Sequence, residues 1–553
     1  MKKFIFIIPL LGLLFASCDD LLKEESFTEV GKDNYVNSAA EAQNVLLGVY
    51  RYMNTEGIYS FNLSILFTLS TDIAQCEGNG NTSFRTIPTN SHTASYPDVQ
   101  TTWQTLYAAI YAANDFIETV SSRMGEWDYH DQELANVYLG EARALRALYY
   151  FELVRWYGNV VLMKTTADSR KDVSEYEQAD PADVYAFIEE DLRFAIDALP
   201  WAVDDNLRSN NAFRLSKGSV LGLLTKVYCT WAGYPVRDES KWADAVRVAK
   251  WLVESGKHRL NPDYETVWRN TCNGIWDPEE SLIEVSFYSP TGLNGDDPTG
   301  RIGKWNGVAA TALAGVRGRN AANWKVTYNF TGEWEKHDDP RMPLSIADYR
   351  YGYSNSAGTI KTDDYITYFD TTGSANPTDD QKNKQRQLFT PAKWDTEKYV
   401  TPANFLINND KSNVNWYVLR YSDVLLLYAE ALNEAEGPVA DAFEAVNIVR
   451  RRGFGDSNHD LQAGLSREEL REAIRKERAY ELCFEGHRKQ DLIRWGIYFS
   501  SIRKTAQELQ DWYENANYAV NRYTIEGRHE LMPIPQRDLD LMPKVKQNPG
   551  WGM

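Results

Sequence analysis

Two blocks of helical periodicity, separated by a long aperiodic stretch, constrain the fold of this chain more than any other feature. In the first block, apolar residues recur every three or four positions from Leu134 to Trp156, and Gly158 then predicts the end of the helix. The pattern predicts further helices at 180–199, 216–232 and 241–253. Asp180 and Pro181 are typical of a helix start, because the carboxylate caps free N–H groups and proline suits the first turn.

The helical period returns near the C-terminus. Val418, Tyr421 and Leu425 begin a helical pattern that Gly437 and Pro438 break, and more helices are predicted at 442–449, 467–484 and 489–513. The pairs at 216–255 and 417–452 resemble tetratricopeptide-like hairpins, because alanines lie where the two helices of a pair would cross. We therefore expect a mainly α-helical scaffold of paired helices.

The stretch between the blocks, from about residue 256 to about residue 416, sustains no helical period and is rich in Gly, Asn, Asp, Thr and Trp. A loop of that length inside a compact protein is usually functional, since ordering it costs much conformational entropy. A shorter segment at 56–97 has the same character. We expect both segments to form irregular, loop-rich regions that carry the ligand site.

The N-terminus has the organisation of a secretory signal peptide: Lys2 and Lys3, an apolar run from Phe4 to Leu14, and small residues before Cys18. The run is too short to cross about 30 Å of hydrocarbon as a helix. Cys18 resembles the lipidated cysteine of a bacterial lipobox, although Phe15 stands where leucine is usual. We expect acyl chains on Cys18 to anchor the chain to a membrane without spanning it. The alternative is an ordinary secreted protein with an unmodified cysteine.

Composition excludes some functions. The net charge of −19 disfavours nucleic acid and other polyanionic ligands, whose binding needs lysine and arginine. The chain holds 33 tyrosines, 17 tryptophans and 21 phenylalanines, and exposed aromatic rings are the main apolar means of holding sugars. No HExxH, GxSxG or phosphate-binding glycine loop is present, and the seven histidines are scattered. We therefore expect neither catalysis, nor a metal ion, nor a cofactor.

The remaining cysteines give little functional information. They lack the spacing of a zinc site, and the sequence does not decide whether they form one or two disulfides. Cys229 and Cys483 fall within helical apolar patterns, which favours small core residues.

Four stretches in order resemble the conserved blocks of the SusD/RagB family. They are Arg143–Gly158, Trp416–Ala431, Ile474–Trp495, and Leu531–Pro535 with Gln547–Trp551. Asp19 and Asp20 directly after Cys18 resemble the surface-export signal of Bacteroidetes lipoproteins. The resemblance implies a tetratricopeptide helical scaffold with ligand-bearing loops, on the outer face of the outer membrane. It further implies an oligosaccharide ligand and a SusC-like TonB-dependent transporter as partner.

The expected organisation has five parts. They are a signal peptide at 1–17; an anchor, tether and first helix at 18–55; an N-terminal helical region at 56–255; an irregular ligand-binding insertion at 256–415; and a C-terminal region at 416–553.

Three carboxylates of the third family block, Glu477, Glu481 and Glu485, share one helical face at a spacing of four residues. They could suggest a metal site or the acid and base of a glycosidase. Because Arg475, Arg478, Arg488 and Arg494 surround them in sequence, we interpret them as a neutralised structural network. Glu152 with Arg155 receives the same interpretation.

The ligand site is expected in the irregular segments, where rings stack on sugar faces and polar side chains bind hydroxyl groups. The candidates in the longer segment are Trp276, Tyr288, Trp305, Trp324 and Tyr328. The candidates in the shorter segment are Asp72, Asn79, Asn81, Phe84, Arg85 and Tyr96. Trp103, Trp156, Trp495 and Trp512 lie on predicted helices and are interpreted as packing residues.

Three alternatives stay open at this point. The RagB branch of the family suggests peptide capture on the same fold. A lipid-anchored glycoside hydrolase is possible because carboxylate pairs are recognised by their separation in space and not by sequence. The third alternative is a structural or adhesive surface protein.

Overall fold

The structure is a computed structural model that describes residues 35–78, 80–289, 298–354, 360–372, 374 and 376–552. The expected signal peptide, the lipidation at Cys18 and the candidate Asn79 lie outside the described residues. The helices are α1 (Ala39–Arg51), α2 (Pro97–Arg123), α3 (Tyr129–Tyr157), α4 (Pro181–Ala198), α5 (Lys217–Ala232), α6 (Lys241–Glu254), α7 (Tyr264–Cys272), α8 (Tyr328–Trp334), α9 (Met342–Ser345), α10 (Asp379–Arg386), α11 (Thr396–Tyr399), α12 (Tyr421–Ala435), α13 (Ala440–Phe454), α14 (Arg467–Glu481), α15 (Arg488–Arg494), α16 (Tyr498–Trp512), α17 (Ala519–Tyr523) and α18 (Gln536–Leu541). The strands are β1 (Ala74–Cys76), β2 (Ser281–Val285), β3 (Trp324–Val326), β4 (Ile346–Ala347), β5 (Tyr349–Ser354), β6 (Ile360–Thr367), β7 (Thr390–Pro391) and β8 (Trp416–Arg420).

The predicted helical scaffold is confirmed, and its caps explain where the helices begin and end. Asp180 caps α4 by accepting the Ala182 N–H, and Pro181 occupies the first turn. Ser216 and Ser219 form a reciprocal capping box at the start of α5. α3 ends at Gly158, whose φ of 69° lies in the left-handed region that glycine adopts without strain.

Most of the helices pack against one another around one large core, and α15, α16 and α17 contribute to a second, smaller cluster. α3 packs on α2 and α4, α5 on α6, and α12 on both α13 and α6. The hairpins α5–α6 and α12–α13 are the tetratricopeptide-like pairs that the sequence predicts. The C-terminal family block closes the scaffold at the end of α3, because the Met532 N–H donates to Trp156 O at 2.7 Å and Asn548 Nδ2 donates to Tyr157 O at 2.8 Å.

Two of the predicted boundaries are wrong. Residues 416–420 do not begin a helix: they form β8, which pairs antiparallel with β2. All five residues of β8 are buried, so neither face of the strand is open to water and its sequence lacks the alternation that marks a half-buried strand. The single helix predicted at 489–513 is divided into α15 and α16 by Gly496, which has a φ of 70°.

The segment 256–415 contains short helices and short strands. The strands form two-stranded antiparallel pairs, β1 with β3, β2 with β8, β4 with β7 and β5 with β6. Two of these pairs join separate parts of the chain: β3 holds the segment to the loop after α1, and β2 holds it to the start of α12. The irregular segment is therefore held to the strand before α12 near its N-terminal end, and to the shorter irregular segment near its middle.

A buried ionic network fixes the same segment to α14. Arg341 Nη1 donates to Glu477 at 2.6 Å and to Glu481 at 3.0 Å, and Lys393 Nζ donates to Glu485 at 2.7 Å. Arg420 joins Glu481 and Glu485 at 2.6 and 2.7 Å. Burial raises the pKa of Glu481, but the surrounding guanidinium groups outweigh burial and hold it well below its ordinary value.

This network confirms the structural interpretation of the three glutamates, with different partners from those expected. The four arginines that surround the glutamates in sequence pair with other carboxylates. Arg475 pairs with Glu472, and Arg488 pairs with Asp72. Arg478 pairs with Asp423 and Asp491, and Arg494 pairs with Glu430 and Asp491. Glu152 accepts from Arg155, Tyr59 and Trp156, so it is also part of the packed core.

The four cysteines of the described chain, Cys76, Cys229, Cys272 and Cys483, are buried free thiols. In the part of the chain that the structure describes, no helix is both long and apolar enough to cross a membrane. Among the same residues, no group of three or more His, Cys, Asp or Glu side chains could hold a metal ion.

Candidate functional site

The structure brings four of the candidate residues to one surface. Phe84 of the shorter segment meets Trp305 of the longer one, although more than 200 residues separate them in sequence. Arg85 contacts the Phe84 ring, and Tyr96 contacts the turn that carries Phe84. We call Phe61, Phe84, Trp305, Arg301 and Asp410 the ring cluster.

Aromatic edge-to-face contacts build the centre of the ring cluster. The Trp305 ring lies 4.7 Å from the Phe61 ring and 4.8 Å from the Phe84 ring, with interplanar angles of 69° and 87°. Phe61 is buried, whereas Phe84 and Trp305 are partly exposed. Two edge-to-face contacts therefore restrict the orientation of the Trp305 ring.

Polar side chains surround these rings. Trp305 Nε1 donates to Asp410 Oδ1 at 2.7 Å, and the Arg301 guanidinium lies 4.1 Å from the Phe61 ring centre. Arg301 also pairs with Glu56 at 2.9 Å and with Asp410 at 3.4 Å, and Lys411 reaches Glu56. Partial burial raises the pKa of Glu56, but Lys411 and Arg301 outweigh burial and lower it below its ordinary value. The cluster therefore offers oriented charged donors and acceptors beside a ring.

Local backbone geometry explains why three distant segments meet here. The Arg301 N–H donates to Ser60 O at 3.1 Å, and Gly300 and Ser412 exchange hydrogen bonds of 3.2 and 2.8 Å. Gly303 allows the turn before Trp305: its φ is 78°, and a Cβ at this position would lie 2.6 Å from the Thr396 methyl carbon.

The Phe84 side of the cluster is held by a second set of contacts. Phe84 sits in a 3₁₀ turn, Ser83–Arg85, whose carbonyl at Ser83 accepts the Tyr96 hydroxyl at 2.7 Å. The Arg85 guanidinium lies 4.4 Å from the Phe84 ring, and Arg85 Nε donates to Glu77 O at 2.7 Å. Asn81 is exposed on the same loop, where its carbonyl accepts the Thr86 hydroxyl at 3.1 Å. Tyr96 and Arg85 thus orient Phe84 against Trp305.

Other candidates lie elsewhere. Asp72 and Tyr328 line a separate cleft of about 1050 Å³, in which Asp72 pairs with Arg488 at 2.6 Å. Trp276 lies near Phe213, with ring centres 6.4 Å apart, and Tyr288 is 54% exposed after β2. Among the described residues, no ring contact joins Trp276 or Tyr288 to the ring cluster.

Trp324 requires a correction. It belongs to β3, opposite Cys76 of β1, and only 2% of it is exposed. A ring in this position cannot stack on a ligand, so Trp324 is a core residue.

The sequence did not single out five residues of this surface. They are Glu56, Phe61, Arg301, Asp410 and Lys411. Two sequence signals could have pointed to members of this set. Arg301 precedes Trp305 by four residues, and Asp410 lies in a polar Asn-Asn-Asp-Lys run.

Comparison with known proteins identifies the family of this chain. A family model described as "SusD family" matches residues 254–551, which is more than half of the chain. The chain belongs to the SusD family. A second model, described as "Starch-binding associating with outer membrane", matches residues 25–229.

Relatives within the family agree with this assignment. A SusD homolog of known crystal structure from Bacteroides thetaiotaomicron is 55% identical and superposes with a TM-score of 0.90, over 96% of this chain and 100% of that one. A SusD-like protein P2 from Formosa agariphila is 25% identical over the full length of both chains. A laminarin-binding SusD-like protein shares the fold, with a TM-score of 0.67, 23% identity, and coverage of 93% and 100%.

Proposed function

We propose that this protein binds oligosaccharide through the ring cluster, without catalysis, and delivers it to a SusC-like TonB-dependent transporter. The single observation that carries the proposal is the partly exposed Trp305 ring, held in orientation by Phe61 and Phe84 and bordered by Arg301 and Asp410. Such a ring offers an apolar face to the C–H groups of a sugar, and the charged side chains bind its hydroxyl groups.

Family membership supports the class of ligand. The chain matches a model described as starch-binding, and a protein of the same fold is described as laminarin-binding. A shallow surface with one ring platform binds weakly, but weak binding suffices if this protein and the transporter hold the sugar between them at high effective concentration. The proposal includes a lipid anchor at Cys18 on the outer face of the outer membrane.

The test is binding by the mature chain, made soluble by a Cys18→Ala exchange, on a glycan array followed by calorimetric titration of the best ligand. Trp305→Ala should weaken binding at least tenfold, because it removes the only platform of the cluster. Trp276→Ala is the matched control, since Trp276 is a partly exposed tryptophan of the same segment outside the cluster. Equal affinity in Trp305→Ala and wild type would refute the site, and binding of peptides instead of glycans would refute the ligand class.

A further inference from the structure

Three clefts between the helices adjoin one another, on residues distinct from the ring cluster. The first, of about 1050 Å³, lies between α8 and the helices α14–α16 and includes Arg475 and Trp495 in its lining. The second, of about 450 Å³, shares Arg475 and Trp495 with the first. The third, of about 470 Å³, shares Trp242, Glu434 and Arg471 with the second. We call this continuous surface the helix groove.

α14 forms one wall of the helix groove along its length. Arg467, Arg471 and Arg475 line the clefts at a spacing of four residues, which places them on one helical face over about 12 Å of axis at 1.5 Å per residue. Carboxylates orient two of them: Arg471 binds Glu434 through two bonds of 2.6 and 2.7 Å, and Arg475 binds Glu472 at 2.7 Å. A guanidinium has five N–H donors, so each arginine retains donors for a ligand.

Aromatic rings alternate with these charged groups. Trp495 lies where the first two clefts meet, with its ring 4.9 Å from the Arg475 guanidinium and its Nε1 donating to Glu430 at 2.8 Å. Tyr234, 40% exposed, and the partly exposed Trp242 follow in the second cleft. Tyr328 lines the first cleft and stacks on Trp512 with ring centres 3.8 Å apart. Contacts therefore fix the Trp495 and Tyr328 rings in place along the groove, and the Tyr234 and Trp242 rings also line it.

The chemistry of the groove selects among possible occupants. Its lining residues lie on helices, on the turns between them and on the loop at 72–73, and none of them belongs to a strand, so it offers no strand edge to which an extended peptide could add. Arginine and glutamate recur between the rings, so the surface lacks the continuous apolar strip that an amphipathic helix needs. Rings that alternate with charged hydrogen-bonding groups match a chain of sugar units, each with an apolar face and a rim of hydroxyl groups.

We propose that the helix groove is a second binding site for a linear oligosaccharide. The site goes beyond the proposed function of the ring cluster and does not depend on it. Two sites on one chain would increase the retention of a long glycan, because binding at one site raises the effective concentration at the other.

Calorimetric titration of the mature chain tests the groove, with laminarihexaose, maltoheptaose and oligogalacturonate as the probes. We expect the double variant Tyr234→Ala/Trp242→Ala to bind sugar at least tenfold more weakly at the helix groove. Binding at the ring cluster, which Trp305→Ala removes, should be unchanged in the double variant. Trp251→Ala is the matched control, because Trp251 is a 48% exposed tryptophan on α6 that does not line the groove. A double variant with wild-type stoichiometry and affinity would overturn the second site.

Hydrogen exchange of the wild-type chain gives a second measurement that does not depend on the folding of a variant. A bound probe sugar should slow exchange at least twofold in the segments 234–242 and 467–475. If every probe leaves these segments unchanged, the proposal is wrong. Protection of the same segments by the transporter alone, and by no sugar, would make the groove a protein interface and would also overturn the proposal.

Discussion

The buried network around α14 and the ring cluster are built from the same residue types and differ in burial. In the network, the side chains of Arg420 and Glu481 are fully buried, with Trp268 5.6 Å from the guanidinium. In the ring cluster, the side chains of Arg301 and Asp410 are 18% and 41% exposed, and the side chain of the neighbouring Glu56 is 52% exposed. The comparison shows that arginine, carboxylate and tryptophan stabilise the fold where water is excluded, and stay available to a ligand where water has access.

Energetics support this division. Removing one partner of a buried ion pair costs about 3–5 kcal/mol because a charge is left uncompensated, whereas an exposed pair contributes about 0–1 kcal/mol. Variants of the network should therefore change stability, and variants of the cluster should change affinity. The following predictions test that separation.

The largest effect is expected for Arg420→Met. It leaves Glu280, Glu481 and Glu485 without the guanidinium that each now contacts, so the free energy of unfolding should fall by about 5 kcal/mol or more. Urea denaturation measures the change. Arg301→Met is the matched control and should cost less than about 1 kcal/mol. Similar losses in the two variants would remove the distinction between the regions.

The second prediction concerns Lys489, a buried cation of the scaffold that has no carboxylate partner among its described contacts. Its Nζ reaches Asn90 Oδ1 at 3.5 Å, and burial lowers its pKa to about 7, a shift that the attraction of Glu530 only partly opposes. We expect Lys489→Met to raise the free energy of unfolding at pH 7 by up to about 4 kcal/mol, since the pKa is lowered from 10.5 to about 7 and one pKa unit corresponds to about 1.4 kcal/mol.

The sign of the pH dependence follows from the lowered pKa. Between pH 7 and about pH 10.5 the unfolded chain holds a proton on Lys489 that the folded chain lacks, so stability should rise with pH across this window. His92 and His529 lie in the same region, but their pKa values are lowered, so they titrate below this window. Denaturation at pH 7 and pH 9.5 should show the rise in wild type and a smaller rise in Lys489→Met. A variant that is less stable than wild type would contradict the prediction.

Phe84→Ala should act on affinity and only weakly on stability. It removes one of the two rings that hold Trp305, and we expect glycan affinity to fall about tenfold, which is about 1.4 kcal/mol. Titration calorimetry measures the affinity, and thermal unfolding checks the fold. Phe213→Ala is the control, because Phe213 is partly exposed beside Trp276 and outside the cluster. A lower melting temperature with little change in affinity would show that Phe84 is a packing residue.

The smallest effect is expected for Glu56→Gln. The Glu56 side chain is half exposed and pairs with Arg301 and Lys411, so its loss should change the free energy of unfolding by less than about 1 kcal/mol. Salt screens exposed pairs, and the difference from wild type should vanish in 1 M NaCl. Paired denaturation curves at low and high salt measure this. A difference that persists in 1 M NaCl would show that the pair is not solvent-screened.

The helices were predictable from sequence because local signals define them. Asp180 with Pro181, Ser216 and Gly158 mark helix ends through caps that involve only neighbouring residues. β8 was not predictable, because it is a short apolar run buried on both faces, and only its pairing with β2 distinguishes it from the first turn of α12.

The candidate site was predictable only in part. Rings in aperiodic segments were a useful signal for Phe84 and Trp305, which do meet at a surface. The same signal selected Trp324, because the sequence of one strand does not show that the rest of the chain buries it. Asp410 reaches Trp305 across 105 residues, so no local pattern connects them.

The most direct test of the central claim is a crystal structure of the mature chain with the best glycan from the array. The account predicts that a sugar ring lies on the Trp305 ring, and that its hydroxyl groups form hydrogen bonds with Arg301 or Asp410. A glycan bound away from the ring cluster, with Trp305 still exposed to solvent, would contradict the account.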